Sequence, residues 1–221
     1  MAEGKDKLTV AYWGTQGLAH PTRWLLAYHK IDFEDKHYTD RDVWAKDKAA
    51  LPSDFPNLPY IKDGDTVITE SVAVLQYAAY KTGNKDILGK NPVDAIKIAQ
   101  LNSFIGDLRG PIWEIVKNAE YEKVKDEVLN TKVAPFMEKI SKNLGEKEFL
   151  LGYLTWVDFQ LFNVLDVYHR MSAEFVAKYP NLKKYWERFN NAEGIQAFRK
   201  SEKYPKLLAP PGYVAWTVEE K

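Results

Sequence analysis

Pro56-Asn57-Leu58-Pro59-Tyr60-Ile61-Lys62-Asp63-Gly64-Asp65-Thr66-Val67-Ile68-Thr69-Glu70-Ser71 carries two short strands, the turn between them and the start of a helix. Pro59 stands directly before a short apolar run. Proline cannot donate to a sheet ladder, so it marks a strand start, an edge or a bulge. It also pushes Leu58 towards extended geometry. The Leu58 backbone N–H and C=O are therefore expected to face outward, where another extended backbone can pair with them. Asp63-Gly64-Asp65 supplies the turn, residues 66–68 return as a strand, and Glu70-Ser71 closes the unit. The free N–H groups of a helix start attract anions. A backbone-pairing residue beside an anion site suits a small acidic peptide.

Working outward, residues 8–13 and 33–38 have strand character. A helix runs from Pro21, near its first turn, to about residue 30, with Trp24, Leu25 and Tyr28 on one face. Residues 42–48 fit a short helix or an irregular turn, and a helix from about residue 70 to residue 81 ends at Gly83. The order β-α-β-α-β-β-α implies a mixed sheet with helices on both faces, an α/β unit. From Val93 to about residue 200 the pattern is helical. Ile96, Leu101, Ile105, Leu108, Ile112 and Ile115 recur at helical spacing, then Val124, Val128, Val133, Met137, Ile140 and Leu144. Pro111 is expected to kink its helix. Thr155, three residues before Asp158, forms a variant capping box with Leu154 and Phe159 as its staple, and the helix that follows buries Phe162, Leu165 and Tyr168. The polar linker at 84–92 separates two expected domains, 1–89 and an all-helical 90–221. The tail from Pro205, with Pro210-Pro211-Gly212, Tyr213 and Trp216, reads as an irregular extension.

The 221 residues hold 31 Lys plus Arg and 31 Asp plus Glu, so the net charge is zero and nothing points to nucleic acid or an anionic membrane. There is no cysteine, which excludes disulfides, thiolate metal sites and a cysteine nucleophile. The first residues are polar and charged, and the longest apolar stretch, 149–162, is too short to span a bilayer. A cytoplasmic protein is expected. His20, His29, His37 and His169 show no metal-ligand spacing with carboxylates, so no metal site is expected. Gly14-x-x-Gly17 is too short for a dinucleotide fingerprint.

The chain resembles the cytosolic glutathione transferases, most closely the mu class. The resemblance covers nearly the whole length. It is carried by Ala11-Tyr12-Trp13-Gly14-Thr15-Gln16-Gly17-Leu18-Ala19-His20, by Asp54-Phe55-Pro56-Asn57-Leu58-Pro59-Tyr60, by Thr69-Glu70-Ser71 and by Thr155-Trp156-Val157-Asp158-Phe159. It implies a thioredoxin-like glutathione-binding domain, an all-helical domain contributing the electrophile pocket, a homodimer, and glutathione as co-substrate with no separate cofactor. It also implies a catalytic role for Tyr12, whose hydroxyl donates to the glutathione sulfur. Such a donor stabilises thiolate over thiol. A free thiol titrates near ~8.5, and lowering that by about two pKa units corresponds to ~2.7 kcal/mol. Glutathione then supplies the nucleophile that the chain lacks.

The same resemblance assigns the remaining contacts. Asn57 and Leu58 hold the cysteinyl part, Leu58 through its backbone, and Pro59 matches a cis-proline. Glu70 and Ser71 hold the γ-glutamyl group. Trp13, Arg41, Trp44 and Lys48 surround the glycyl end, where the cations face its carboxylate. Asp107 reaches across the dimer to the γ-glutamyl ammonium. Leu18, Gly106, Gly110 and Lys117 line the electrophile pocket, and Phe55 inserts into the partner subunit. The chain departs from the mu pattern in four places. Glu70 stands where mu proteins carry glutamine. The segment from Tyr38 to Trp44 is short. Lys117 replaces a second tyrosine. Gly106, Gly110 and Pro111 replace bulkier residues. Two other readings are a carrier of apolar ligands and a glutathione-dependent isomerase such as a prostaglandin synthase.

Overall fold

The computed structural model describes residues 7–209. The tail residues Pro210, Pro211, Tyr213 and Trp216 lie outside the described residues. By compactness the described chain forms two units, one of residues 7–83 with 193–209 and one of residues 84–192.

The first unit is a mixed four-stranded sheet with helices. Strands β1 (Thr9–Trp13), β2 (Glu34–Tyr38), β3 (Tyr60–Asp63) and β4 (Thr66–Thr69) lie in the order β2-β1-β3-β4. β1 pairs parallel with β2, setting Tyr12 opposite His37 and Trp13 opposite Tyr38, and antiparallel with β3, setting Ala11 opposite Tyr60. β3 and β4 form a hairpin closed by Gly64-Asp65, with Asp63 opposite Thr66. Gly64 has φ +58°, a value that two-residue hairpin turns require and that glycine adopts without steric cost. The turn is anchored through Asp63, which accepts from Tyr77 Oη at 2.9 Å and pairs with Lys81 Nζ at 2.6 Å.

Helix α1 (His20–Tyr28) begins with Pro21 in its first turn, and α2 (Arg41–Ala50) is capped by Asp40, whose Oδ1 accepts from Asp42 N at 2.7 Å and Val43 N at 3.3 Å. Helix α3 (Ser71–Lys81) follows Glu70 directly. Residues 193–209 join this unit because later helical residues dock on α1. Phe198 lies 5.6 Å from Trp24 and 6.2 Å from Phe33 between ring centroids. Gly194 approaches the end of α1 so closely that a Cβ there would sit 1.9 Å from Ala27 O.

The second unit is helical: α4 (Pro92–Gly106), α5 (Arg109–Val116), α6 (Tyr121–Val128), α7 (Ala134–Leu144), α8 (Trp156–Met171), α9 (Ala173–Ala177) and α10 (Pro180–Asn190). α11 (Glu193–Arg199) belongs to the first. Instead of a kink at Pro111, the chain breaks at Asp107–Leu108 and restarts as α5. Pro111 then lies in a first turn, where its missing N–H leaves no helical bond unmade. The break is held by Tyr168 Oη donating to Leu108 O at 2.6 Å and Arg109 Nη2 donating to Gln160 Oε1 at 2.7 Å. The run expected from Val124 to Leu144 contains a wider π-turn at Leu129–Val133, just ahead of Pro135. Pro135 has no N–H to return to Thr131 O, which favours that loosening.

Helix α8 is buried on nearly every side, including Phe162, Leu165 and Tyr168 at 0% exposure. Its start rests on Asp158, also 0% exposed, whose carboxylate accepts from Thr155 N at 2.8 Å, Thr155 Oγ1 at 2.7 Å, Leu150 N at 2.9 Å and Tyr185 Oη at 2.9 Å. Burial pushes this carboxyl up from its usual range, and those donors oppose the shift. Replacing Asp158 with alanine leaves three buried donors unmade, Tyr185 Oη keeping the residue-158 carbonyl at 3.1 Å, and is expected to cost ~2–4 kcal/mol in urea unfolding followed by helical circular dichroism, whereas Tyr185→Phe, which removes one donor, costs about 1 kcal/mol.

Candidate functional site

Tyr12 stands one residue before the end of β1, where the chain leaves the sheet for the loop into α1. Its ring lies against Gly17. A Cβ on Gly17 would sit 2.5 Å from Tyr12 Cε1 and 2.9 Å from the hydroxyl, and Gly17 also has φ +42°. Only glycine meets both conditions without displacing the phenol. The loop starts with Gly14 N donating to Tyr38 O at 3.0 Å, which continues the β1–β2 ladder past its last pair.

Arg23 supports this loop from inside the unit. Its side chain is 0% exposed and Asp35's is 1% exposed, with Arg23 Nε 2.9 Å from Asp35 Oδ2 and 3.1 Å from Oδ1. Arg23 Nη1 donates to Thr15 O at 2.6 Å and Gln16 O at 3.3 Å. Asp35 Oδ2 lies 3.0 Å from His37 Nε2. Burial pulls the Arg23 guanidinium down from its usual range, while the charge and hydrogen bond of Asp35, and the nearby Tyr12 oxygen in its anionic form, hold it up. The sequence reading missed this pair. The one available signal was the stripe His20, Arg23, Trp24 and Ala27 on α1, which puts an arginine on the inward face. The all-polar run Glu34-Asp35-Lys36-His37 gives no sign that Asp35 is buried.

The structure gathers several predicted residues. Tyr12, Trp13 and Trp44, each half-buried, pack with Ala11, Tyr38, Leu58 and Tyr60 in one apolar cluster. Trp44 stands edge-on to Tyr38 at 5.1 Å and stacks with Tyr60 at 6.4 Å. Arg41, Trp44 and Lys48 are spaced three and four residues apart on α2, so they share one stripe. Trp44 turns towards the sheet, and Arg41 and Lys48 are exposed. The Leu58–Pro59 peptide is cis. Asn57 Nδ2 donates to Glu70 Oε1 at 3.0 Å, which ties the segment before Pro59 to the start of α3. Glu70 has φ +69° and Ser71 opens the helix. The Leu58 N–H, expected to face outward, donates to Asn57 Oδ1 at 2.9 Å instead, because the asparagine side chain folds back on its own backbone.

Leu18 is 39% exposed in a 3₁₀ turn (Gly17–Ala19). Phe55 is 75% exposed in the loop before Pro56. The other predicted residues lie in the second unit. Gly106 ends α4, Asp107 caps it, Gly110 lies in the first turn of α5, and Lys117 caps α5 with its Nζ 5.3 Å over the Trp113 ring. A Cβ on Gly106 or Gly110 meets nothing within 4 Å. Among the described residues no cluster of three or more His, Cys, Asp or Glu side chains offers a metal site. No helix among them is long and apolar enough to cross a membrane.

The first unit carries groups that can meet charges of both signs. A helix N-terminus attracts a carboxylate, Glu70 attracts an ammonium, Arg41 and Lys48 attract a second anion, and a phenol at the strand end can donate to the conjugate base of a weak acid.

Comparisons with known proteins agree in both halves. Residues 8–80 match the family described as the glutathione S-transferase N-terminal domain, and residues 106–202 match the glutathione S-transferase C-terminal domain. The chain is 34% identical to glutathione S-transferase Mu 1 of Rattus norvegicus over 205 residues, 89% of this chain and 92% of that protein. It is 34% identical to glutathione S-transferase Mu 4 of Homo sapiens over 210 residues, 91% and 94% of the two chains. Among solved structures, the pi-class glutathione S-transferase of Onchocerca volvulus superposes with a TM-score of 0.79 at 25% identity, covering 93% of this chain and 99% of that one. The glutathione S-transferase Blo t 8 does so with a TM-score of 0.78 at 26% identity, covering 95% and 99%. Prostaglandin synthase D of Nilaparvata lugens, at 23% identity and a TM-score of 0.72 over 90% of this chain, shares the fold.

Gly17→Ala tests the contact behind Tyr12. The added methyl group has to displace the ring and take up a left-handed φ, so a loss of ~1–3 kcal/mol in chemical denaturation is expected.

Proposed function

We propose, because the chain belongs to the glutathione S-transferase family, that it binds glutathione, holds the sulfur as thiolate and transfers it to hydrophobic electrophiles. The observation that carries the reading is the Asn57–Glu70 hydrogen bond beside the cis Leu58–Pro59 peptide, at the N-terminus of α3 and in the same unit as Tyr12. The γ-glutamyl carboxylate takes the Ser71 hydroxyl and the free N–H groups of α3, and its ammonium takes Glu70. A carboxylate at position 70 binds that ammonium more strongly than an amide does. The Asn57–Leu58–Pro59 segment lies along the cysteinyl part. Trp13 and Trp44 frame the glycyl end, with Arg41 and Lys48 facing its carboxylate.

With the peptide held, the thiol lies at Tyr12. The phenol O–H donates to the sulfur, the thiol proton goes to solvent, and the thiolate lone pair attacks the electrophilic carbon as its leaving group departs or its π bond opens. Binding the nucleophile in place lowers the entropic part of the barrier. The open space at Gly106 and Gly110 suits a bulky, apolar electrophile. Phe55, whose ring is too exposed to serve this chain's own core, is assigned to a pocket of a second copy, giving a homodimer in which Asp107 serves the partner's glutathione. The assembly works as a cytoplasmic detoxifying enzyme.

Two measurements test this reading. Ultraviolet titration of bound glutathione is expected to show a thiol pKa about two below that of free glutathione, and Tyr12→Phe to return it to the free value and cut kcat/KM at slightly acid pH by roughly 100-fold. If both proteins titrate alike, the role of Tyr12 is wrong. Phe55→Ser is expected to weaken the dimer by ~2 kcal/mol or more, seen as monomer in sedimentation at micromolar concentration.

A further inference from the structure

We propose that residues 204–208 form a strap that positions Tyr12, and that Gln16 is the positioning residue through which the strap acts. The inference rests on the thiolate-stabilising role proposed for Tyr12.

The loop from β1 to α1 presents two backbone N–H groups away from Arg23, and both are taken by this distant segment. Gln16 N donates to Leu207 O at 2.8 Å, and Gly17 N donates to Leu208 O at 3.2 Å. The Gln16 side chain crosses to the same segment, where Nε2 donates to Pro205 O at 3.1 Å and meets Tyr204 Oη at 3.2 Å. Gln16 is 1% exposed and Tyr204 5% exposed, so these bonds form away from water. A buried amide without partners is costly, and a buried amide with partners specifies one geometry. Tyr204 is itself fixed. Arg199 Nη1 reaches its oxygen at 3.1 Å, and its ring meets His20 at 5.5 Å, Trp24 at 5.7 Å and Phe198 at 5.6 Å between centroids.

The loop is therefore gripped from both sides. Arg23 takes the carbonyls of Thr15 and Gln16, and the strap takes the amides of Gln16 and Gly17. Neither grip involves a residue assigned to glutathione. Their effect reaches the chemistry through Gly17, whose backbone lies against the Tyr12 ring and hydroxyl. Gly17 donates its N–H to the strap on one side and lies against the phenol on the other. Hydrogen bonds weaken steeply as distance and angle depart from the optimum, so a loop released from its strap presents the Tyr12 hydroxyl to the sulfur less well. The backbone grip of residues 70–71 on glutathione lies on a different element and is left alone.

Gln16→Met keeps the length and bulk of the side chain and removes both of its donors. The full-length protein, saturated with glutathione, is titrated by ultraviolet absorbance of the thiolate in four backgrounds: wild type, Gln16→Met, Tyr12→Phe and the double variant. The acid constant of the bound thiol is expected to fall about three- to tenfold in Gln16→Met while glutathione affinity changes less than about twofold, and the same substitution to add nothing once Tyr12 is phenylalanine. Equal falls in both backgrounds would mean that Gln16 reaches the sulfur without Tyr12, and no fall with Tyr12 present would mean that the strap positions nothing. Either result overturns the proposal. A Tyr12→Phe protein that titrates like wild type would instead overturn the reading of Tyr12, and the strap's role with it. Should Gln16→Met not fold, Tyr204→Phe takes its place: a fall of about twofold supports the strap, and an unmoved titration overturns it.

Discussion

A buried charge orders the first unit. Placing a guanidinium out of water costs several kcal/mol unless its donors are met. Arg23 has that problem at 0% exposure, and Asp35 offsets it with a carboxylate equally removed from solvent, while Arg23 Nη2 has no hydrogen-bond partner among the described residues. The pair ties α1 to β2. The guanidinium also reaches Thr15 and Gln16, so the loop that follows Tyr12 is held by the same residue that pairs with Asp35. Moving α1 or β2 would leave a charge unpaired, and moving the loop would strip Arg23 Nη1 of its acceptors.

The other half of the site is organised by apolar contact. Helix α2 buries none of its residues, yet it is the element on which Arg41 and Lys48 ride. It is attached by Trp44, lodged against Tyr38 and Tyr60, and by Asp47, which accepts from Lys36 Nζ at 2.7 Å and Tyr38 Oη at 2.7 Å. Burial and these neighbours push the Tyr38 hydroxyl far above its ordinary range, so it stays a neutral donor to Asp47. A helix held at so few points presents charged side chains outward without committing apolar surface of its own.

Much of this was legible beforehand. The order of elements along the first unit, the hairpin turn at Gly64 and the helix starts at Pro21 and Ser71 follow from local signals of period, turn chemistry and capping. The Thr155–Asp158 capping box followed from a four-residue motif because its partners lie within one turn. The motif around Tyr12 and the segment ending at Pro59 carried the family resemblance, and both lie in the first unit. The helix break before Pro111 was read one turn too late. Proline shows that a helix is disturbed near it, whereas the carbonyl that Tyr168 holds, Leu108 O, shows where.

By itself, the amino-acid sequence determined the class of each half and the family, because those properties reside in local periodicity and short motifs. Tertiary structure alone decided how Tyr12 is held. Arg23 meets Asp35 across 12 positions, and Gln16 meets Tyr204 across 188. The α1 stripe marks Arg23 as inward-facing, but nothing local names its partner, and an aspartate or a glutamine looks like a solvated side chain until the fold removes its water. Only then does each polar group require one particular partner.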